Sequence, residues 1–125
     1  MPGGGGRDGR QTVGAAGESA VAAWYEARGY RVLDRNWRVR DGEIDLVVGR
    51  GRAVVFCEVK TRRGDAFGAP VEAVTGSKQR RIRRIARQWL LERATGTAYD
   101  DLRFDVASVV PDGHGWLVEV FEGAF

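Results

Sequence analysis

Two segments that alternate apolar and polar residues, 43–48 and 53–61, flank the turn sequence Gly-Arg-Gly-Arg at residues 49–52. The pattern predicts a β-hairpin, because alternate side chains of a strand point to opposite faces. One predicted face is apolar and is formed by Ile44, Leu46, Val48, Val55, Cys57 and Val59. The opposite face is largely charged and is formed by Glu43, Asp45, Val47, Phe56, Glu58 and Lys60. A chain with this hairpin must pack other elements on the apolar face while it gathers charges on the other.

The register of the hairpin decides where its acidic residues lie. With Gly49 opposite Arg52, Asp45 and Glu58 become diagonal neighbours on one face, and Lys60 projects from the same side. A shift by one residue would place the two carboxylates on opposite faces of the sheet. The apolar pattern favours the register that brings them together.

Carboxylates on a strand with a buried pattern need a partner, because burying an unpaired charge is costly. Asp45 and Glu58 would repel each other at this spacing, and a divalent cation is the usual remedy. Ligands that are all oxygen, here with the main-chain carbonyl of Val59, suit Mg²⁺ or Mn²⁺. Lys60 would then hold an attacking water against a phosphate. Together these residues predict metal-assisted hydrolysis of a phosphodiester.

Other interpretations of the charged face stay open. In one of them Glu58 and Lys60 lie on an exposed edge strand and pair with each other, or with Glu43 and Arg62. Glu43 is itself either a metal ligand or a supporting residue that orients Arg38 or Lys60. The supporting role is the one we favour.

The remaining periodic segments complete an α/β domain. Apolar residues at helical spacing predict a helix over 15–28, with the stripe Ala20, Ala23, Trp24 and Ala27, and a second helix over 77–93. Ser77 is the predicted cap of the second helix, whose buried stripe is Ile82, Ile85, Ala86, Trp89 and Leu90. Further strands are predicted over 30–33, 103–110 and 116–121. The order predicts an α/β fold with a central mixed β-sheet of about five strands flanked by helices.

Composition excludes several classes of protein. The chain has 125 residues, of which 43% are hydrophobic and 30% charged, as in an ordinary globular domain. Residues 1–13 are rich in glycine and predict a flexible tail, which leaves residues 14–125 as one domain. One cysteine, Cys57, and one histidine, His114, exclude a disulfide scaffold and a zinc site. No membrane span or secretory signal is evident, so we expect a cytoplasmic protein with no membrane partner.

The predicted second helix is strongly basic, although the net charge of the chain is only +3. Closely spaced Lys and Arg side chains suit contacts with the phosphates of nucleic acid. The candidate nucleic-acid-binding residues are Arg38, Arg62, Lys78, Gln79, Arg80, Arg83, Arg84 and Arg87. The alternative is a solvated helix face whose arginine stems cover apolar surface.

Motifs spread over residues 14–121 resemble the YraN-like family of bacterial proteins. They are Gly17-Glu18, Asn36 with Arg38, Gly42-Glu43-Ile44-Asp45-Leu46, Phe56-x-Glu58-Val59-Lys60-Thr61-Arg62 and Arg103-Phe104-Asp105-Val106. That family is similar to the restriction-endonuclease-like superfamily, close to archaeal Holliday-junction resolvases, so the resemblance implies a nuclease-like domain. The superfamily signature of an acidic residue followed by a Glu-x-Lys strand implies that Asp45, Glu58 and Lys60 are catalytic.

The same resemblance implies a role for Glu18 on the first predicted helix. A glutamate at this position completes the metal site in the resolvase branch, so Glu18 is expected to be a catalytic residue and a metal ligand. The alternative is a carboxylate in solvent that is favoured by the dipole of the first helical turn.

The site and the resemblance together predict an endonuclease that uses Mg²⁺ or Mn²⁺ to hydrolyse DNA phosphodiester bonds, on branched or damaged DNA. Two alternatives keep the fold without turnover: a catalytically inactive nucleic-acid-binding protein, and a scaffold protein of a DNA-processing assembly. A resolvase-like activity would also require a homodimer that presents two active sites about a two-fold axis.

Overall fold

Two helices and five strands make up the part of the chain that the computed structural model describes, residues 9–62, 74–94 and 96–125, with side chains from residue 14 onward. In chain order they are helix α1 (Gly9–Glu26), strands β1 (Arg31–Val39), β2 (Gly42–Arg50) and β3 (Ala53–Thr61), helix α2 (Gly76–Arg93), and strands β4 (Asp101–Asp112) and β5 (Gly115–Phe121). This order of helix, three strands, helix and two strands is the predicted one. Within the described residues no helix is long and apolar enough to cross a membrane.

The strands form one sheet in the order β1-β2-β3-β4-β5. Neighbouring strands are antiparallel except β3 and β4, which run parallel and are joined through α2. A parallel pair needs such a crossover, because its strands start at the same edge of the sheet. The predicted α/β class, with a mixed sheet of five strands flanked by helices, is confirmed.

The two helices cover opposite faces of this sheet. The core under α2 includes Val47, Val54, Phe56, Ile82, Ile85 and Trp89. The core under α1 includes Val21, Tyr25, Leu46, Val48, Val55 and Cys57. Each fully buried large side chain of this kind contributes roughly 1.5 to 3 kcal/mol, so β2 and β3 are fixed from both sides.

Helix α1 differs from its prediction in its start and in its buried face. It begins at Gly9, inside the predicted tail, and residues 1–8 lie outside the described residues. Its buried side chains are Val21, Ala22 and Tyr25, not the alanine-rich stripe beginning at Ala20. Large side chains decide the orientation of a helix, because burying them removes more apolar surface from water than burying alanines does.

Helix α2 follows its predicted stripe but not its predicted cap. Ile82, Ile85, Ala86 and Trp89 are buried. The cap is Thr75 rather than Ser77, and its hydroxyl accepts a hydrogen bond from the main-chain N–H of Lys78 at 3.3 Å. Threonine and serine cap helices by the same hydrogen bond, so the sequence allowed either start.

The register of the β2–β3 hairpin differs from the predicted one. Gly49 pairs with Val54 rather than with Arg52. The turn residues are Gly51 and Arg52, and Gly51 adopts the positive φ of 60° that favours glycine. Because the difference is two residues, the acidic side chains stay on one side of the sheet.

Strand β2 is irregular beside Asp45. As a result, Ile44 lies on the opposite face of the sheet from the one that the sequence predicts. Ile44 lies with Val47 in the core under α2, whereas Leu46 lies in the core under α1. Regular alternation would place Ile44 with Leu46, so the alternation is interrupted between them. At the same level of the neighbouring strand, Asn36 has a φ of 51°. Asparagine is one of the few residues that adopt this conformation readily.

Candidate functional site

A cleft of about 480 Å³ opens where β2 and β3 pass beneath the first turns of α2. Its charged lining consists of four acids and three cations: Asp41, Glu43, Asp45, Glu58, Lys60, Lys78 and Arg81. The two strands and the segment before β2 supply the acids and Lys60, and the helix supplies the other two cations. Val59 also lines the cleft.

The two central carboxylates lie side by side because the hairpin opens at this point. The β2–β3 ladder ends with the pair Leu46–Cys57, one residue before Asp45 and Glu58 would face each other. Oδ2 of Asp45 accepts a hydrogen bond from the main-chain N–H of Val59 at 2.8 Å. This bond holds the Asp45 carboxyl against β3, and Asp45 and Glu58 line the same cleft closely enough for the charge of Glu58 to raise the pKa of Asp45.

The environment of Asp45 opposes its ionisation. Burial, together with the negative charge of Glu58, raises the pKa of Asp45 to about 8. The hydrogen bond from Val59 lowers the pKa, while Glu43 and Glu18 raise it. A carboxyl that is buried among other acids favours a proton or a cation.

Glu58 is paired with two lysines from different elements. Its Oε2 lies 2.7 Å from Nζ of Lys78 on α2 and 3.4 Å from Nζ of Lys60 on β3. Only 11% of the Glu58 side chain is exposed. The carboxylate is therefore compensated by protein cations within the cleft.

The two lysines have opposite pKa shifts. Burial, together with the nearby Lys78, lowers the pKa of Lys60 below its ordinary value despite the charge of Glu58. Burial also acts to lower the pKa of Lys78, but its hydrogen bonds with Glu58 and Lys60 raise it overall. Lys60 is thus the amine of this pair that more readily gives up its proton.

Glu18 lies near this site without lining the cleft. Its Oε1 accepts a hydrogen bond from Nδ2 of Asn36 at 2.9 Å, and its charge is the weakest of the influences that raise the pKa of Asp45. Glu18 is in the middle of α1, so the alternative role in a first helical turn is wrong. Within residues 9–62, 74–94 and 96–125, no three His, Cys, Asp or Glu side chains are grouped to hold a metal ion.

The structure bears on two questions that the sequence left open: whether Glu58 and Lys60 lie on an edge strand, and what role Glu43 has. β3 is the central strand of the sheet, so the edge-strand interpretation of Glu58 and Lys60 is wrong, although the two side chains do pair. Oε1 of Glu43 lies 3.0 Å from Nε of Arg38. This ion pair is the contact with Arg38 that the supporting interpretation predicts, but Glu43 also lines the cleft and forms a hydrogen bond with Asp45.

The predicted nucleic-acid-binding residues are distributed over several environments. Arg80 and Arg87 are exposed on α2, while Arg84 pairs with Asp41 at 3.2 Å. The guanidinium of Arg83 packs 4.7 Å from the ring centre of Phe104.

Two further candidates, Gln79 and Arg62, take part in hydrogen bonds that involve main-chain groups. Gln79 donates from Nε2 to the carbonyl of Val74 at 3.1 Å, and Arg62 is half-buried and donates its main-chain N–H to Val109 at 2.8 Å. The exposed arginines of α2 are thus the ones that solvent and a nucleic acid reach most easily.

Sequence reasoning missed that α2 contributes to the acidic site itself. Lys78 was predicted to contact nucleic acid, and Arg81 was not assigned to the site. The available signal was helical spacing, because Lys78 precedes the buried Ile82 by four residues and Arg81 precedes the buried Ile85 by four residues. Residues at this spacing lie beside the buried stripe, where they reach the edge of the sheet.

Comparison with known proteins identifies relatives for most of the chain. The model of the uncharacterised protein family UPF0102 matches residues 17–109. A UPF0102 protein of Rhodococcus jostii is 50% identical over 103 residues, which is 82% of this chain and 85% of that protein. A UPF0102 protein of Frankia casuarinae is 46% identical over 117 residues, 93% of this chain and 98% of that protein. These matches confirm the resemblance to the YraN-like family.

Among solved structures, one match of low similarity is a calcium-bound protein. It is described as the structure of Pyrococcus furiosus SfsA in complex with Ca²⁺, and it is 12% identical with a TM-score of 0.35. The match covers 90% of this chain and 62% of the other. At this TM-score the match carries no weight for the function of the chain.

Proposed function

The chain belongs to the uncharacterised protein family UPF0102, and from its cleft we propose that it is an endonuclease that uses Mg²⁺ or Mn²⁺ to hydrolyse phosphodiester bonds in branched or damaged DNA. The observation that carries the proposal is the pair of adjacent carboxylates, Asp45 and Glu58, with Lys60 beside them in an open cleft. A purely structural pair of acids would be expected to lie apart or to be fully compensated.

The residues of the cleft fit a hard divalent cation. The pKa of Asp45 is about 8, so its carboxyl holds a proton at neutral pH. Few hydrogen-bond donors contact this carboxyl. A cation bound there would replace the proton. Mg²⁺ in proteins is usually held by one or two carboxylates, with waters and substrate phosphate as further ligands. Asp45 and Glu58 would be the side-chain ligands, the carbonyl of Val59 a third, and Glu18 a ligand through water.

The protein side chains supply the rest of the chemistry. A bound cation would polarise the phosphate and lower the pKa of an attacking water. Lys60, which lies beside Glu58 in the same cleft, would orient that water against the phosphate. Lys78 and Arg81 line the same cleft and would offset the negative charge of the phosphate.

The arginines of α2 support DNA as the substrate. Arg80, Arg84 and Arg87 are exposed on the helix whose first turns form one wall of the cleft. A backbone lying along this helix would meet several guanidinium groups and release counterions. A homodimer would present two such clefts to a branched DNA, and we retain it as part of the proposal.

A second candidate function is nucleic-acid binding without turnover, whether by the chain alone or as a scaffold in a larger assembly. The observation that favours it is the double pairing of Glu58, because Lys60 and Lys78 already compensate its charge without a cation. In that case the cleft would bind a phosphate through its lysines alone.

A cleavage panel separates the two candidates. Duplex, nicked, single-stranded, flap and four-way-junction DNA are incubated with the protein in Mg²⁺, in Mn²⁺ and in EDTA. We expect cleavage only with a divalent cation, and we expect Glu58→Ala to abolish it while DNA affinity in EDTA stays equal or rises. The matched control is Asp100→Asn, which removes an exposed carboxylate that pairs with Arg52 away from the cleft.

The outcomes of the panel are distinct. Cleavage at the parental rate by a contaminant-free Glu58→Ala preparation would show that the cleft is not the active site. DNA binding in EDTA with no cleavage under any condition would favour the second candidate. Absence of both binding and cleavage would refute both.

A further inference from the structure

Among the described residues, Lys78 is the cation that lies closest to Glu58. Its ammonium lies 2.7 Å from Oε2 of Glu58, closer than the 3.4 Å that separates the same oxygen from Lys60. Both lysines therefore converge on one carboxylate oxygen. A divalent cation cannot be coordinated by that oxygen in the same direction while the ammonium of Lys78 holds it.

The two lysines differ in how they can leave Glu58. Lys60 lies two residues along the same strand, so its side chain leaves the backbone on the same face as that of Glu58. Lys78 comes from the first turns of α2, a separate element, and reaches Glu58 across the cleft. Its side chain is 24% exposed, close to the 27% of Lys60, and rotation about its flexible stem can carry the ammonium away from Glu58 within the cleft.

We propose that Lys78 stands in for the divalent cation in the free protein and transfers to a phosphate of the bound DNA when the cation reaches Glu58. The inference deepens the proposed function and rests on it. The displaced ammonium remains in the cleft beside Arg81, where a backbone phosphate would be its nearest new partner. Cation binding thus creates a phosphate-binding group, and phosphate binding keeps Lys78 away from Glu58.

This exchange makes the two ligands cooperative. If the cation frees Lys78 for phosphate, then DNA must raise cation affinity by the same factor by which the cation raises DNA affinity. A cation that also contacts the phosphate would couple the two ligands without Lys78, so the part of the coupling that Lys78→Met removes is what reports the exchange. The coupling is therefore the property to measure.

The first measurement is binding of Mn²⁺ without DNA, by calorimetric titration of the parent, Lys78→Met and Arg81→Met. Methionine keeps much of the length of the stem and removes the charge. We expect Lys78→Met to bind Mn²⁺ about tenfold more tightly than the parent, equivalent to about 1.4 kcal/mol. Arg81→Met removes an equal charge from the same cleft without a contact to Glu58, so it should change the affinity much less.

The second measurement is the effect of Mn²⁺ on DNA binding, with a four-way junction carrying phosphorothioate linkages that resist cleavage. For the parent, Mn²⁺ should raise DNA affinity by several-fold more than it does for Lys78→Met. Arg81→Met should weaken DNA binding while retaining the parental enhancement by Mn²⁺. Lys78→Arg, which keeps a cation on a flexible stem, should restore part of the enhancement.

Each outcome bears on the proposal. Equal Mn²⁺ affinities for the parent, Lys78→Met and Arg81→Met would overturn the stand-in role and leave the endonuclease proposal intact. Binding of Mn²⁺ by Lys78→Met but not by the parent would support it strongly. A parent that binds Mn²⁺ with the expected coupling but cleaves no DNA would refute only the endonuclease proposal, and failure of every protein to bind Mn²⁺ would overturn both.

Discussion

Replacement of Asp45 by asparagine should stabilise the cation-free protein, because the native carboxyl is held where ionisation is unfavourable. Asparagine has nearly the same shape, and its side-chain carbonyl can still accept the hydrogen bond from the N–H of Val59. What it removes is the titration of a carboxyl that lies beside Glu43 and Glu58. The substitution therefore isolates the electrostatic cost of this one group.

The size of the effect follows from the pKa shift. The pKa of Asp45 rises from 3.8 to about 8 on folding, so between these values the folded protein holds a proton that the unfolded chain has lost. Stability then falls as pH rises, with a slope approaching 1.4 kcal/mol per pH unit, until it levels off above about pH 8. At pH 7, about three units above 3.8, the accumulated cost is on the order of 4 kcal/mol. Asp45→Asn avoids this cost.

The assay is urea unfolding followed by circular dichroism at several pH values from 4 to 8, with EDTA present. The parent and Asp45→Asn should have similar stability near pH 4 and diverge steadily above it, with the variant more stable. Asp100→Asn, an exposed carboxylate in an ion pair, serves as the control and should follow the parent. Addition of Mn²⁺ at pH 7 should stabilise the parent and leave Asp45→Asn almost unchanged.

Parallel stability curves for the parent and Asp45→Asn over this pH range would refute the reasoning. Such curves would mean that Asp45 titrates in the folded protein as it does in the unfolded chain, and that its site needs no cation. A variant that is less stable than the parent at every pH would show instead that the native carboxyl makes a contact that asparagine does not replace.

Two other substitutions test the surroundings of the site. Replacing Arg80, Arg84 and Arg87 together by glutamine should make DNA binding less dependent on salt. The slope of log affinity against log salt for duplex DNA should fall by at most about 2.7, since each lost phosphate contact contributes roughly 0.9. An unchanged slope, measured in EDTA, would show that the DNA contacts lie elsewhere. Gly17→Ala should destabilise the protein by about 1 to 3 kcal/mol in urea unfolding, because its Cβ would lie 2.7 Å from Oγ1 of Thr61. Adding Thr61→Ala should restore most of that loss, and a Gly17→Ala variant as stable as the parent would show that α1 does not pack closely on β3.

The sequence predicts the faces of the hairpin better than its register. Side-chain alternation depends only on the strand period, so Asp45 and Glu58 share a side in either register that differs by two residues. The register depends on which residue of the Gly-Arg-Gly-Arg turn adopts a positive φ. Both Gly49 and Gly51 can adopt this conformation, so the sequence allows either register. The structure places Gly51 there. The point at which the ladder ends, one residue before Asp45 and Glu58, was therefore beyond what alternation alone determines.

The role of Lys78 was also beyond the sequence, for a different reason. Helical periodicity correctly gives the buried stripe around Ile82 and Ile85, but it does not give the position of α2 along the sheet. That position is set by the packing of the stripe against Phe56 and Val47, which belong to other elements. Only this packing brings the first turn of α2 over Glu58, so a residue with the pattern of a surface cation becomes part of the cleft.

The buried Asp105 and the partly buried Asp45 differ in how many hydrogen-bond donors surround them. This difference makes Asp105 a structural residue and Asp45 a candidate for function. Asp105 is fully buried, and its oxygens accept hydrogen bonds from Tyr25 at 2.6 Å, from the main-chain N–H of Gly123 at 3.0 Å, and from two guanidinium nitrogens of Arg103 at 2.8 and 2.9 Å. A carboxylate with that many donors is satisfied by the fold and has no need of a further ligand.

Asp45 has the opposite environment. The main-chain N–H of Val59 is the donor identified for it, and acidic groups surround it. The fold therefore maintains a carboxyl whose charge the lysines of the cleft compensate only in part, next to a strand residue, Asn36, in an uncommon backbone conformation. Both features lower the stability of the free protein, and a bound cation would reverse the electrostatic one. This local imbalance, more than the presence of an acidic motif, is the physical reason to regard the cleft as the working part of the molecule.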